Sequence, residues 1–230
     1  MYKRSSFETS QIISNYYSVL EKISAVSEKV GRDPLTINLI VVTKTYDEES
    51  ILPLLDIGHK NFGENRVQEA GDKWAKLLTS YPDTKLHLIG HLQTNKTKIA
   101  LQIFDSIHTV DSIKLINEVQ KHISHEKTKA KEFFLEINLG NEPQKDGIIV
   151  NDLQEIMLKF ENGVSFNCDG YMCIPPYNEE PALYFALLKK IALDYKVNKL
   201  SMGMSADYTK AIEFGATHVR VGSEIFGKRV

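Results

Sequence analysis

The chain has 230 residues, is 42% hydrophobic, and balances 28 Lys and Arg against 30 Asp and Glu for a formal net charge of −2. Both signs are mixed along its length, so no long-range field is available to hold a polyanion, and nucleic acid is excluded as a main partner. Two cysteines, Cys168 and Cys173, exclude a disulfide framework and fit a reducing compartment; no secretory signal follows the basic start and no uncharged apolar run approaches the ~20 residues of a membrane span, so a cytoplasmic protein without membrane contact is expected.

Apolar residues at Ile13, Tyr16, Leu20, Ile23 and Val30 follow helical spacing, and Gly31 and Pro34 stop the pattern, which predicts an opening amphipathic helix. Short β-prone runs follow at 37–43, 60–63, 86–90, 106–110, 133–138, 167–173, 198–202 and 217–221, with helix-length amphipathic segments between them. Strand and helix in alternation predict βα units joined by right-handed crossovers. Eight such units close a barrel; the competitor is an open doubly wound sheet. Polar residues recur just after strand ends all along the chain, which suits the single rim of a barrel. The expectation is an α/β chain forming one (β/α)8 TIM-type barrel over 1–230 with an extra N-terminal helix.

Lys44 ends the first run, Ile37 to Thr43, and precedes the turn Thr45-Tyr46-Asp47. A lysine taken alone there is more often a solvent-facing residue, but at the C-terminal end of a first barrel strand it faces the mouth, where desolvation and a nearby cation free its amine to attack an aldehyde. Asn61-Phe62-Gly63-Glu64-Asn65 carries paired polar side chains, of which Glu64 or Asn65 also suffices as a helix N-cap. His87 lies on a strand and His91 in the loop after it; neither has a third ligand at metal-binding spacing, so no metal is expected. The last stretch runs from Leu200 through Met204-Ser205 and a helix at about 208–214 to Arg220-Val221-Gly222-Ser223. It occupies the part of a barrel where loops after the last strands bind phosphate. Ser205, expected to cap that helix, Gly222 and Ser223 form an anion cradle, and Arg220 points along the pocket floor if it alternates with Val219 and Val221; on these residues alone a surface arginine fits equally well. A lysine amine, an arginine and a phosphate nest in one pocket point to an aldehyde-bearing phosphate cofactor, pyridoxal phosphate.

Val41-Val42-Thr43-Lys44-Thr45, Phe62-Gly63-Glu64-Asn65, His87-Leu88-Ile89-Gly90-His91-Leu92-Gln93-Thr94-Asn95-Lys96, Leu200 to Asp207, and Val219-Arg220-Val221-Gly222-Ser223 resemble, in order, the motifs of the pyridoxal phosphate homeostasis protein family. The resemblance covers nearly the whole chain. It implies a barrel like the N-terminal domain of alanine racemase, pyridoxal 5'-phosphate held as an internal aldimine on Lys44, Arg220 facing the pyridine nitrogen, Ser205, Gly222 and Ser223 around the phosphate, and Asn65, His87 and Met204 around the ring. It also implies intracellular cofactor homeostasis or carriage without established turnover, delivery to pyridoxal-phosphate-dependent apo-enzymes, and a monomer as the favoured state. Leu86 and the loop Gln144-Lys145-Asp146-Gly147 depart from the family pattern at the rim only.

An arginine facing the pyridine nitrogen keeps it unprotonated and makes the ring a poor electron sink. Racemisation also needs a second acid or base on the opposite ring face, which the related racemases draw from a further domain. No catalytic residue is therefore assigned, and a non-catalytic carrier is expected over a small amino-acid racemase or a barrel binding some other phosphorylated metabolite.

Overall fold

In the computed structural model, residues 6–123, 127–161 and 166–227 are described. Helix α1 (Ser6–Lys29) comes first, and strand and helix then alternate: β1 (Asn38–Val42), α2 (Glu48–Asp56), β2 (Asn61–Glu64), α3 (Val67–Ser80), β3 (Lys85–Leu88), α4 (Thr97–Ile103), β4 (Ser106–Val110), α5 (Ile113–Ile123) and β5 (Glu132–Asn138). A two-residue strand β6 (Ile148–Ile149) precedes α6 (Val150–Glu161), then β7 (Gly170–Met172), α7 (Pro181–Asp194), β8 (Lys199–Met204), α8 (Tyr208–Glu213), β9 (His218–Val221) and the single turn α9 (Ser223–Phe226).

Every strand pairing is parallel, in the order β1-β2-β3-β4-β5-β7-β8-β9, and β9 returns to β1 with Leu39 opposite Val219 and Ile40 opposite Arg220. Of the nine strands among the described residues, β6 pairs there only with the end of β5, which leaves eight in a closed barrel. The helices cover its outside, so the strands are buried on both faces and read as near-continuous apolar runs, as in β1 and β4. The predicted barrel and all eight strand positions are found, although the sixth, now β7, shrinks from 167–173 to three residues. Its Gly170 is the reason for close packing there: a Cβ would run into the Phe134 ring and Lys199 O.

The hydrophobic core lies between sheet and helices. Ile40, Phe134 and Met172 are buried outside that layer, and with the rings of His87, His108 and His218 they fill the lumen. His108 stacks on Phe134 with centroids 4.1 Å apart. Alternation on β9 therefore turns His218 and Arg220 inward and Val219 and Val221 outward.

Helix α1 forms where a helix is predicted, but its buried stripe is Ile12, Tyr16, Val19, Ile23 and Val26, with Ile13 and Leu20 at its margin and Val30 beyond its end. The stripe packs on α8 and α9, and Gly31 at φ +69 ends the helix. Two expected caps are replaced. The residue ahead of α8 is Asp207 and not Ser205, and that ahead of α3 is Arg66, neither with a side-chain cap bond; Glu64 and Asn65 lie too early in the chain to serve. No helix among the described residues is long and apolar enough to cross a membrane.

Candidate functional site

A cavity of about 510 Å³ opens at the C-terminal ends of the barrel strands, the end at which barrel sites are built. Lys44 and Tyr46 reach it from the turn after β1, Asn65 from the end of β2, Met204 and Ser205 from the end of β8, and Arg220, Gly222 and Ser223 from β9 and its turn. Seven of the eight residues singled out from the sequence thus line one cavity.

His87 does not line this cavity. Its ring is buried in the lumen, where Nδ1 lies 3.1 Å from His108 Nε2 and Nε2 lies 3.2 Å from Asn61 Oδ1. The strand places it two residues before Ile89, which takes the cavity position instead.

Arg220, 4% exposed, is the end of a chain of contacts through the lumen. Its NH1 donates to Ser201 Oγ at 2.7 Å and its NH2 to Cys173 O at 3.0 Å. Burial keeps both rings neutral, and Asn61 Oδ1 only accepts, so the bonds run one way: His87 Nε2–H donates to Asn61 Oδ1, His108 Nε2–H to His87 Nδ1, and Ser201 O–H to His108 Nδ1 at 2.8 Å. Each imidazole is neutral in this arrangement. Burial, followed by the charge of neighbouring histidines, pushes His87 down to about 3 and His108 well below its ordinary value. The chain of bonds leaves Arg220 rigidly mounted on the cavity floor.

Ser205 does not cap a helix; its Oγ accepts the Gly222 N–H at 3.1 Å, tying the loop after β8 to the turn after β9. Its hydroxyl proton remains to be donated elsewhere. Position 222 is tight, since a Cβ would meet Val42 O at 3.1 Å and Val42 Cβ at 3.2 Å, so a side chain there requires the β9 turn to draw back from β1 by a few tenths of an ångström.

Several contributors were not apparent in the sequence. Tyr46 walls the cavity and stacks on Phe226 with centroids 4.3 Å apart; an aromatic two residues past the lysine was the available signal. Glu136 on β5 has its carboxyl pushed up to about 7 by burial, then by Asp111 and Asp146, with Arg220 opposing. Its strand position beside Leu135 and Ile137 resembles ordinary alternation. The fold also supplies the third groups that spacing did not reveal. His91 Nδ1 lies 3.2 Å from both Asp111 and Asp146 at the rim, and Glu132 joins His87 and His108, although both nitrogens of His87 and of His108 already take part in hydrogen bonds.

The family model for the alanine racemase N-terminal domain matches residues 21–230. The chain is 33% identical over 230 residues to the pyridoxal phosphate homeostasis protein of Vibrio alginolyticus, covering 96% of this chain and 98% of that one, and 36% identical over 220 residues to that of Aquifex aeolicus, covering 92% and 95%. It is similar to the structure of PipY from Synechococcus elongatus with PLP bound, at a TM-score of 0.77 and 30% identity over 91% of this chain and all of that one (100%). An alanine racemase of Clostridium difficile, at 15% identity and a TM-score of 0.69, shares the fold over 57% of its own length. By these relatives and this fold, the chain belongs to the pyridoxal phosphate homeostasis protein family.

Proposed function

We propose that this chain binds pyridoxal 5'-phosphate through a Schiff base at Lys44 and serves as an intracellular holder and carrier of the cofactor, with 1–230 acting as a single unit. The observation that carries the reading is that Lys44, Arg220, Ser205, Gly222 and Ser223 line the same cavity. The donor set fits the cofactor: one lysine, one arginine and two serines among the residues lining about 510 Å³. When bound, pyridoxal phosphate supplies an aldehyde, whose oxygen leaves as water when an amine nitrogen takes its place, with no change of oxidation state.

The chain's own residues account for the rest. Ser205 and Ser223 donate to the phosphate, while Asn65 and Met204 flank the ring. Arg220 presents N–H groups to the pyridine nitrogen, which therefore accepts and stays unprotonated. Its mounting through Ser201 and His108 fixes that polarity. A ring held this way is a weak electron sink, which favours holding the cofactor over turning over an amino acid. Delivery to apo-enzymes follows if a competing amine displaces Lys44.

Lys44→Ala is the test. Equilibrium dialysis against pyridoxal phosphate is expected to show a loss of at least a hundredfold in affinity, with no adduct retained after borohydride reduction. Unchanged retention contradicts the assignment. The racemase reading is tested on the loaded protein by following the optical rotation of a single amino-acid enantiomer, which is expected to stay constant; a steady decay to zero overturns the carrier reading.

A further inference from the structure

Behind the cavity wall, on the outer side of the barrel, Lys73 of α3 is almost wholly enclosed, with 9% of its side chain exposed. Its ammonium has three donors, and three acceptors surround it: Thr43 O at 2.8 Å, Glu64 Oε1 at 2.9 Å and Glu69 Oε1 at 3.2 Å. Glu64 Oε1 also accepts from Thr43 Oγ1 at 2.7 Å and Trp74 Nε1 at 3.0 Å. Glu69 Oε1 in turn accepts the Thr45 N–H at 2.7 Å, and the Thr43 N–H is held by Gly63 O at 2.9 Å. The backbone on both sides of Lys44 is therefore anchored to β2 and α3.

Two features show that this arrangement does more than fill space. Thr45 sits at φ +68, a left-handed conformation that a β-branched residue adopts only where its surroundings over-determine it. The Glu64 side chain is fully buried, and its Oε2 has no hydrogen-bond partner among the described residues. A buried ion pair with one lone oxygen is a poor way to gain stability, because an apolar pair of the same volume avoids the desolvation. Ionic groups retained at such a site fix geometry. The Glu69 carboxyl agrees: burial alone raises it, but the Thr45 N–H and Lys73 together bring it below its ordinary value.

We propose that Lys73, Glu64 and Glu69 form a positioning clamp that holds the Thr43-Lys44-Thr45 turn in its strained conformation, so that the Lys44 amine emerges into the cavity. None of the three touches the cavity wall, and all act through the backbone flanking Lys44. The proposal rests on the reading of Lys44 as the reactive lysine. Releasing Glu69 lets Thr45 relax to negative φ, which redirects the chain after Lys44 and moves the amine away from the position at which it meets the cofactor.

The test is a double-mutant cycle on Glu69→Ala and Thr45→Gly. Glu69 is partly exposed, at 28% of its side chain, so its loss leaves the fold intact, whereas glycine takes φ +68 without strain. Three quantities are read: pyridoxal phosphate affinity, the rate at which trinitrobenzenesulfonate labels Lys44 in cofactor-free protein by peptide mass mapping, and the thermal midpoint. Glu69→Ala is expected to weaken cofactor binding about tenfold and to change Lys44 labelling at least threefold, with the midpoint nearly unmoved. In the Thr45→Gly background the same substitution is expected to change both by less than threefold, because little strain is left to hold. Affinity and labelling within twofold of the native protein, or equal losses in both backgrounds, overturn the clamp. If the native protein takes up pyridoxal phosphate on Lys44 and Glu69→Ala is inert, the clamp alone falls. If the native protein takes up none while labelling still responds to Glu69→Ala, the clamp stands and the cofactor reading falls.

Discussion

Gly203, at φ +92 in the loop end of β8, has no room for a side chain: a Cβ would lie 2.6 Å from Ala211 Cβ and 2.8 Å from Tyr208 Cα. Gly203→Ala is expected to cost about 2 kcal/mol or more in urea unfolding and to loosen the cavity wall at Met204 and Ser205, which follow it directly. Ser201 sits two residues earlier and is wholly buried. Ser201→Ala leaves an Arg220 N–H and His108 Nδ1 without partners, so a loss of about 2–4 kcal/mol is expected, together with a shift of the bound cofactor's absorbance as Arg220 gains freedom. Unchanged stability contradicts the directed chain of bonds. At this scale the sequence was a partial guide. That Lys44 and the serines lie at a strand-end rim was legible because each follows an apolar run, whereas Arg220, set between Val219 and Val221, read equally well as a surface residue. The Ser201–His108–His87 chain was not, since its members are 93 and 21 residues apart and only barrel closure brings them together.

At the scale of elements, α1 lies outside the βα repeat and is tied to an early and a late part of it. Asn15 Nδ2 donates to Ile225 O at 2.9 Å, and Arg32, just past the helix, donates to Ile212 O at 3.0 Å. Tyr16 O–H donates to His59 Nδ1 at 3.1 Å while His59 Nε2–H donates to Asn61 O at 2.8 Å, which fixes a neutral tautomer. Ile23→Ala, with Ile23 4% exposed in the packed stripe, is expected to lower the unfolding free energy by about 2–4 kcal/mol, read from the urea midpoint at constant slope. The helix was legible from its 3.6 period, but its stripe was misplaced by a residue because Ile12 and Ile13, and Val19 and Leu20, are adjacent apolar pairs. Which member of each pair faces inward depends on the angle at which α1 crosses α8 and α9. The cap of α8 was misjudged for a similar reason: Ser205 is a favourable capping residue, yet the loop turns it toward Gly222.

For the whole molecule, three lumen histidines and His59, buried against Tyr16 and Phe62 outside the barrel, set the response to pH. Burial pushes His59 and His218 to about 4, His87 to about 3, and His108 well below 6.5. The unfolded chain then binds more protons than the folded one between pH 6.5 and those values, so the stabilisation is complete above about 6.5 and is lost as pH falls toward 4. At pH 5 each of His59 and His218 removes on the order of 2 kcal/mol. Glu136, raised to about 7, works in the opposite direction, favouring the folded state below that value. Four imidazoles outweigh one carboxyl. Urea midpoints are expected to drop steeply from pH 7 to 5, and Glu136→Gln is expected to steepen that drop while stabilising the protein at pH 8; a midpoint flat across this range contradicts neutral lumen histidines. The barrel itself was legible because βα alternation is a local signal repeated eight times. Its polar lumen was hidden, because inward residues on short, doubly buried strands carry no amphipathic pattern that marks them.

The central claim is that the amine at the end of β1 is the group that captures the cofactor. Its most direct test is the near-visible absorbance of the purified protein titrated with pyridoxal phosphate, followed by borohydride reduction and peptide mass mapping. The account predicts a saturable band at one equivalent and a reduced adduct confined to Lys44. Absence of a band, or an adduct scattered over surface lysines, contradicts it and leaves a barrel that binds some other phosphorylated metabolite.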